Sequence, residues 1–173
     1  MILRPGCVHG PGSEGWTART ARLLRAGRLG DLGASGDGAC NLTYAPDLAA
    51  AVVAALRAEG ARGGVFNVSD PEPGTWNAYF RDLAIAIGAT PVRRLPGWRV
   101  RAEGLAAYPL KVGEFLGRKA GVRTPDAVPP SLLRLFAQEI VLDHRRADAG
   151  LGFARTPPAE ALREAAGWFL RAG

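Results

Sequence analysis

Apolar residues along this chain recur at two spacings, and each spacing predicts a different element. Trp76, Tyr79, Phe80, Leu83, Ala84 and Ile87 step by three and four behind Thr75. That pattern predicts an amphipathic helix, capped by the threonine and ended at Gly88. Thr17 to Ala26 repeats it with Ala18, Ala21 and Leu24, and Gly27 closes it. Leu48 to Leu56 is apolar nearly all round, so a helix there is expected to be buried on more than one side. Asp47, just ahead of it, is expected to cap its free amides. Trp98 to Leu116 reads as a longer helix with a weak centre at Pro109. Pro129-Pro130 opens another that runs through Gln138, and a helical turn follows at Arg145 to Ala149. Thr156-Pro157-Pro158 opens the last helix, with Leu162, Ala165 and Phe169 on one face.

The extended segments are short. Met1 to Pro5 reads as the tail of a buried strand that runs into a loop from Gly6 to Gly15. Leu42-Thr43-Tyr44 is a short extended piece. Val65-Phe66-Asn67-Val68 is a compact apolar strand, closed by Asp70-Pro71-Glu72-Pro73-Gly74. Pro91 to Leu95 and Ile140 to Leu142 lean towards β. Short strands alternating with amphipathic helices predict an α/β fold, mostly helical. Residues 1–5 and 65–68, joined through a buried helix, predict a right-handed parallel crossover. Two parallel strands alone make a poor sheet. The expectation is therefore a remnant parallel pair from an incomplete sheet, with residues 1–173 forming a single truncated domain.

Composition narrows the classes. A hydrophobic fraction of 47% fits an ordinary globular domain. No stretch approaches the length of a membrane span, and no secretory leader is visible, so a cytoplasmic address is expected. The net charge of +6 invites a nucleic-acid reading, but the arginines are scattered among acids and no basic run carries interleaved aromatics. Neither nucleic acid nor membrane is expected as a partner. Two cysteines, Cys7 and Cys40, form neither a disulfide framework nor a zinc pattern, and no metal is expected.

Gly10-Pro11-Gly12-Ser13-Glu14-Gly15 matches the glycine-rich dinucleotide pattern between a strand and a helix. The chemistry argues against a phosphate there. Pro11 lacks an N–H, Glu14 adds a negative charge, and no second strand with a terminal acid follows about 20 residues on. A structural turn is expected instead.

Four segments, in order, resemble the C-terminal half of the extended short-chain dehydrogenase/reductase superfamily, the NAD-dependent epimerase/dehydratase and hydroxysteroid-dehydrogenase-like enzymes. Leu3-Arg4-Pro5-Gly6-Cys7-Val8-His9-Gly10-Pro11-Gly12 resembles its "LRPGxVYGPG". Gly36-Asp37-Gly38 with Asn41 to Ala49 resembles "GxGxN…YVxDxA". Gly64 to Val68 resembles "GxxYNV". Asp143 to Ala147, Leu151-Gly152-Phe153 and Trp168 resemble the closing "D…kA…LGF…W".

The resemblance implies the substrate-binding part of an NAD(P)-dependent oxidoreductase or epimerase. Its N-terminal Rossmann half would lie elsewhere and would be this chain's partner, with homodimerisation left open. Such enzymes carry a Tyr-x-x-x-Lys pair; neither Lys111 nor Lys119 has a tyrosine four positions earlier, so no catalytic residue is expected here. NAD or NADP would serve the full-length enzyme, and none is expected to bind tightly to this chain alone. By the resemblance, Pro5, Gly6 and Val8 lie near the cofactor, whereas Cys7, His9, Trp16, Asn41 and Tyr44 belong to the substrate side, with Trp98 a further pocket aromatic. Nucleotide-sugar epimerases usually place an asparagine at Cys7 and an arginine at Cys40. Their replacement by thiols predicts a weakly charged, hydroxysteroid-like alcohol or ketone as substrate. The alternatives are a nucleotide-sugar epimerase/dehydratase fragment and a non-catalytic remnant or protein-interaction module.

Overall fold

A computed structural model describes residues 1–106, 126 and 128–172. The fold is α/β. Strands β1 (Ile2–Pro5) and β4 (Val65–Val68) pair in parallel, and β2 (Cys7–His9) and β3 (Leu42–Tyr44) form a second parallel pair. Helices α1 (Arg19–Arg25), α2 (Ala45–Arg57), α3 (Trp76–Ala86), α4 (residues 97–106), α5 (Pro130–Phe136), α6 (Arg145–Leu151) and α7 (Pro158–Ala172) make up most of the remainder.

The stretch expected to be loop from Gly6 onward contains β2. A strand this short carries little periodicity of its own, and it is held by its partner, with Cys7 opposite Leu42 and His9 opposite Tyr44. Gly6 is where the chain leaves one sheet for the other. Its N–H donates to the Val68 carbonyl at 3.0 Å and to the Thr43 hydroxyl at 2.9 Å. The same hydroxyl donates to the Val68 carbonyl at 2.6 Å. A Cβ on Gly6 would collide with the Asn41 carbonyl just before β3, so only glycine lets the two backbones come this close.

The cap predicted for α3 is present: the Thr75 hydroxyl accepts from the Ala78 N–H at 3.1 Å, and Gly88 takes φ +71° beyond the helix end. The cap predicted at Asp47 is not. Helix α2 starts at Ala45 behind Tyr44, which puts Asp47 in the first turn. Its buried carboxylate accepts instead from the Thr156 N–H at 2.9 Å and the Thr156 hydroxyl at 2.7 Å, which fixes the approach to α7. Nor is α2 buried on several sides. Ala51 and Ala55 are buried, while Val52, Val53 and Leu56 are exposed, Leu56 by 84%. An all-apolar sequence gives no polar face from which the inner side could be told.

Other expectations differ in detail. Residues 91–95 form only a bridge, Asp31 to Arg94, because Pro91 and Pro96 leave few donors for a ladder. Ile140 and Val141 lie in irregular chain and are exposed. The first helix begins as a wide turn at Glu14–Ala18, and the helix from Pro130 ends at Phe136. Of the long helix expected to Leu116, residues 97–106 are helical; Pro109 and the rest lie outside the described residues.

Two cores result. The larger gathers Leu23, Leu24, Trp76, Phe80, Leu83, Phe136 and Phe169, and its centre is Trp76, fully buried against Trp16 and Phe136. The smaller lies under α2 and α6 and contains Ala55, Phe66, Ala147 and Leu151. Beyond β4, β1 has no other strand partner among the described residues, and Ile2 is 54% exposed.

Gly6→Ala is expected to lower stability by about 3 kcal/mol, since the methyl group has only backbone to displace. Gly15→Ala faces open space and is expected to stay within about 0.5 kcal/mol. Denaturant midpoints of the two variants against the parent chain measure both.

Candidate active site

Alternation along β2 sends Cys7 and His9 to one face and Val8 to the other. In the parallel register, Leu42 and Tyr44 of β3 share the face of Cys7 and His9. His9 is only 2% exposed. Its ring packs 5.6 Å from Tyr44 and 6.1 Å from Tyr79, and its Nδ1 has no hydrogen-bond partner among the described residues.

His9 forms the floor of a cavity of about 370 Å³. Cys40 and Leu42 line one wall, Ala78, Tyr79 and Asp82 of α3 another, and Pro158, Ala159 and Leu162 of α7 a third. The loop that leaves β4 closes it with Asp70, Glu72 and Pro73. Parallel strands deliver such loops to their carboxyl ends, where α/β folds bind ligands.

Burial lowers the His9 pKa to about 4, although the nearby Asp47 carboxylate raises it in part. The imidazole is therefore neutral at physiological pH. Burial also raises the Asp70 pKa to about 6; Asp47 adds to this and Arg155 opposes it. The Cys7 thiol is pushed up to about 11 by burial, and Cys40 is raised for the same reason, so neither is a ready thiolate. Tyr44 donates to the Glu164 carboxylate; its burial and that bond raise its pKa. Tyr79 donates to the Trp16 carbonyl at 2.6 Å and is raised by burial.

Of the residues expected on the substrate side, Cys7, His9 and Tyr44 come together on one sheet face, and only His9 reaches the cavity wall. Trp16 stacks on Trp76 at 5.1 Å, against the main core. Asn41 acts as a staple: its amide donates to the Ile140 carbonyl at 2.7 Å, and its carbonyl accepts from the Leu142 N–H at 2.8 Å. Trp98 is 72% exposed and apart from the cavity. Pro5, Gly6 and Val8, expected beside the cofactor, sit at the sheet junction; Pro5 is exposed and the other two are half-buried. Asp70, Glu72 and Tyr79 were not anticipated as cavity residues. The available signal was the proline-stiffened Asp-Pro-Glu-Pro run directly after an apolar strand, a rigid loop that presents carboxylates.

The stretch from Gly10 to Gly15 turns two of its donors inward. The Gly10 N–H goes to Thr17 Oγ1 at 2.9 Å, the Ser13 N–H to the Gly10 carbonyl at 3.2 Å, and the Trp16 N–H to Ser13 Oγ at 3.3 Å. Glu14 is paired with Arg22. Within the stretch, the amides of Gly10 and Ser13 are thus spent on the turn itself. Among the described residues there is no cluster suited to a metal ion, and no helix is long and apolar enough to cross a membrane.

No family model matches the chain, and no curated protein matches it in sequence. Solved structures match its fold. The crystal structure of gox2253 aligns at TM-score 0.65 and 20% identity, over 99% of this chain and 49% of that one. UDP-glucuronic acid 4-epimerase from Bacillus cereus, in complex with UDP-glucuronic acid and NAD, aligns at 0.64 and 17%, over 100% and 46%. The human epimerase family protein SDR39U1 (isoform 2), with NADPH, aligns at 0.64 and 23%, over 96% and 48%. The fold is thus one found in NAD-dependent epimerase/dehydratase proteins, and the chain spans about half the length of each of these structures.

His9 and Asp70 give opposite pH dependences. His9 has a folded pKa below its unfolded value, so the stability it contributes is full above pH ~6.5 and is lost as pH falls towards 4. Asp70 has a raised folded pKa, so its contribution is full below pH ~3.8 and is lost as pH rises through 6. Each is worth at most about 3 kcal/mol, and between pH 4 and 6 they offset one another. Asp70→Asn should therefore make stability fall on acidification across that window, by up to about 1.4 kcal/mol per pH unit. His9→Gln should make it rise. Thermal melts from pH 4 to 7 read both slopes; matching slopes in the two variants would contradict the assignment.

Proposed function

We propose that this chain is the substrate-binding portion of an NAD(P)-dependent oxidoreductase or epimerase acting on a weakly charged alcohol or ketone. In this reading a nucleotide-binding half continues the sheet beyond β1 and supplies the tyrosine–lysine pair and the phosphate cradle. The observation that carries the reading is the margin of β1 opposite β4, which has no strand partner among the described residues. A right-handed crossover puts α2 on one face of the sheet, and any strand added beside β1 brings its own helix alongside α2. On α2 itself, Val52, Val53 and Leu56 are exposed. An edge and a helix stripe exposed together fit a sheet that goes on.

The residues present here then have defined tasks. Pro5, Gly6 and Val8, where β1 passes into β2, would border the nicotinamide end of NAD or NADP. That cofactor would accept or return the hydride. Cys7, His9 and Tyr44 would shape the substrate side, with His9 offering a neutral imidazole nitrogen as a hydrogen-bonding group. A cytoplasmic address and a small-molecule substrate go with this assignment. The absence of an arginine from the described cavity lining favours a weakly charged substrate over a nucleotide diphosphate.

Calorimetric titration of the chain alone with NADPH should show no saturable binding in the micromolar range. Co-expression with the amino-terminal, nucleotide-binding half of a related epimerase-fold enzyme should yield a complex that binds NADPH. Leu56→Lys should weaken that complex at least tenfold without lowering the melting temperature of the isolated chain. Sub-micromolar NADPH binding by the chain alone would overturn the division of labour.

A further inference from the structure

The cavity above His9 combines apolar walls with an acidic rim. Leu42, Pro73, Ala78 and Leu162 supply the apolar surface, and Asp70, Glu72 and Asp82 supply carboxylates. No lysine or arginine is among the described residues that line it. Asp82 is engaged by Arg81 at 2.9 Å, whereas no ion pair or side-chain hydrogen bond holds Asp70 or Glu72 among the described residues. Arg155, which bears on Asp70 electrostatically, is itself paired with Asp148 at 2.5 Å. At the floor, the Nδ1 of His9 is buried, lacks a partner, and belongs to a ring that lines the cavity.

Resting on the functional reading above, we propose that this cavity selects an amine-bearing substrate, an apolar amino alcohol or amino ketone. Its ammonium group meets Asp70 and Glu72, and its hydroxyl or carbonyl end reaches His9. The charge balance supports this choice over an anion. The start of α7 brings about half a positive charge to the wall, which two carboxylates outweigh. His9 is neutral and opposes neither sign. A diphosphate would meet carboxylates and no cation among the described lining residues, so its charges would be desolvated without a partner. A neutral alcohol would fit the walls but leave both carboxylates unused.

Three probes on one frame separate the cases: 2-amino-1-phenylethanol, 1-phenylethanol and mandelate. They carry an aminomethyl, a methyl and a carboxylate group on the same benzylic alcohol. Titrations of the full chain, followed by the NMR signals of the His9 ring, should show the amine binding at least tenfold more tightly than the neutral alcohol, and no saturation with mandelate. Asp70→Asn and the exposed Glu72→Gln should each reduce amine binding at least threefold and leave 1-phenylethanol unchanged. Equal affinity for amine and alcohol, preference for mandelate, or no binding by any of the three at millimolar concentration would overturn the proposal. None of these titrations needs cofactor or partner. Amine selectivity without assembly with a nucleotide-binding half would therefore defeat the functional reading and leave the pocket preference standing; the reverse result would do the opposite.

Discussion

A single hydroxyl group ties this structure together. Thr43 donates to the Val68 carbonyl and accepts from the Gly6 N–H, so one side chain joins β3, the end of β4 and the point where β1 passes into β2. Each strand is only three or four residues long, too short to be stable by its own ladder. Coupling through Thr43 and Gly6 makes two weak pairs behave as one platform. His9 is positioned by that platform: it follows the switch by three residues, on the same face as Cys7.

The helices were largely legible from the sequence, because their information is local. Thr75 and Gly88 bracket a periodic apolar run, and the structure places a cap at one and a left-handed turn at the other. The parallel pairing of β1 with β4 also followed from the alternation of strand and helix. Asp47 shows where local information stopped. Its position before an apolar run suits an N-cap, yet the helix starts earlier and the carboxylate serves Thr156, more than a hundred residues away. Strand β2 escaped notice for the same reason: three residues between glycines become a strand only when β3 is alongside. Long-range partners leave no periodic trace.

The site divides in the same way. Sequence resemblance pointed to Cys7, His9 and Tyr44 without the sheet face they share, and gave no hint of the carboxylates that give the cavity its charge. Asp70 and Glu72 occupy a loop whose residues also make an ordinary turn signal, and only the folded chain shows that the turn faces His9. Trp16 and Asn41 illustrate the converse. An aromatic and an amide suggest contact with a ligand, but one is committed to Trp76 and the other to the backbone at Ile140 and Leu142. Chemistry-bearing residues are drawn into packing wherever the main chain needs them.

The exposed Val52, Val53 and Leu56 of α2, and the margin of β1 without a second strand among the described residues, bear on how this polypeptide persists in a cell. Uncovered strand edges and aliphatic patches are what quality-control machinery recognises in incompletely assembled molecules. Copies that meet a counterpart would be shielded, and surplus copies would be degraded. The steady amount of this chain would then follow the supply of whatever covers it more closely than the rate of its own synthesis.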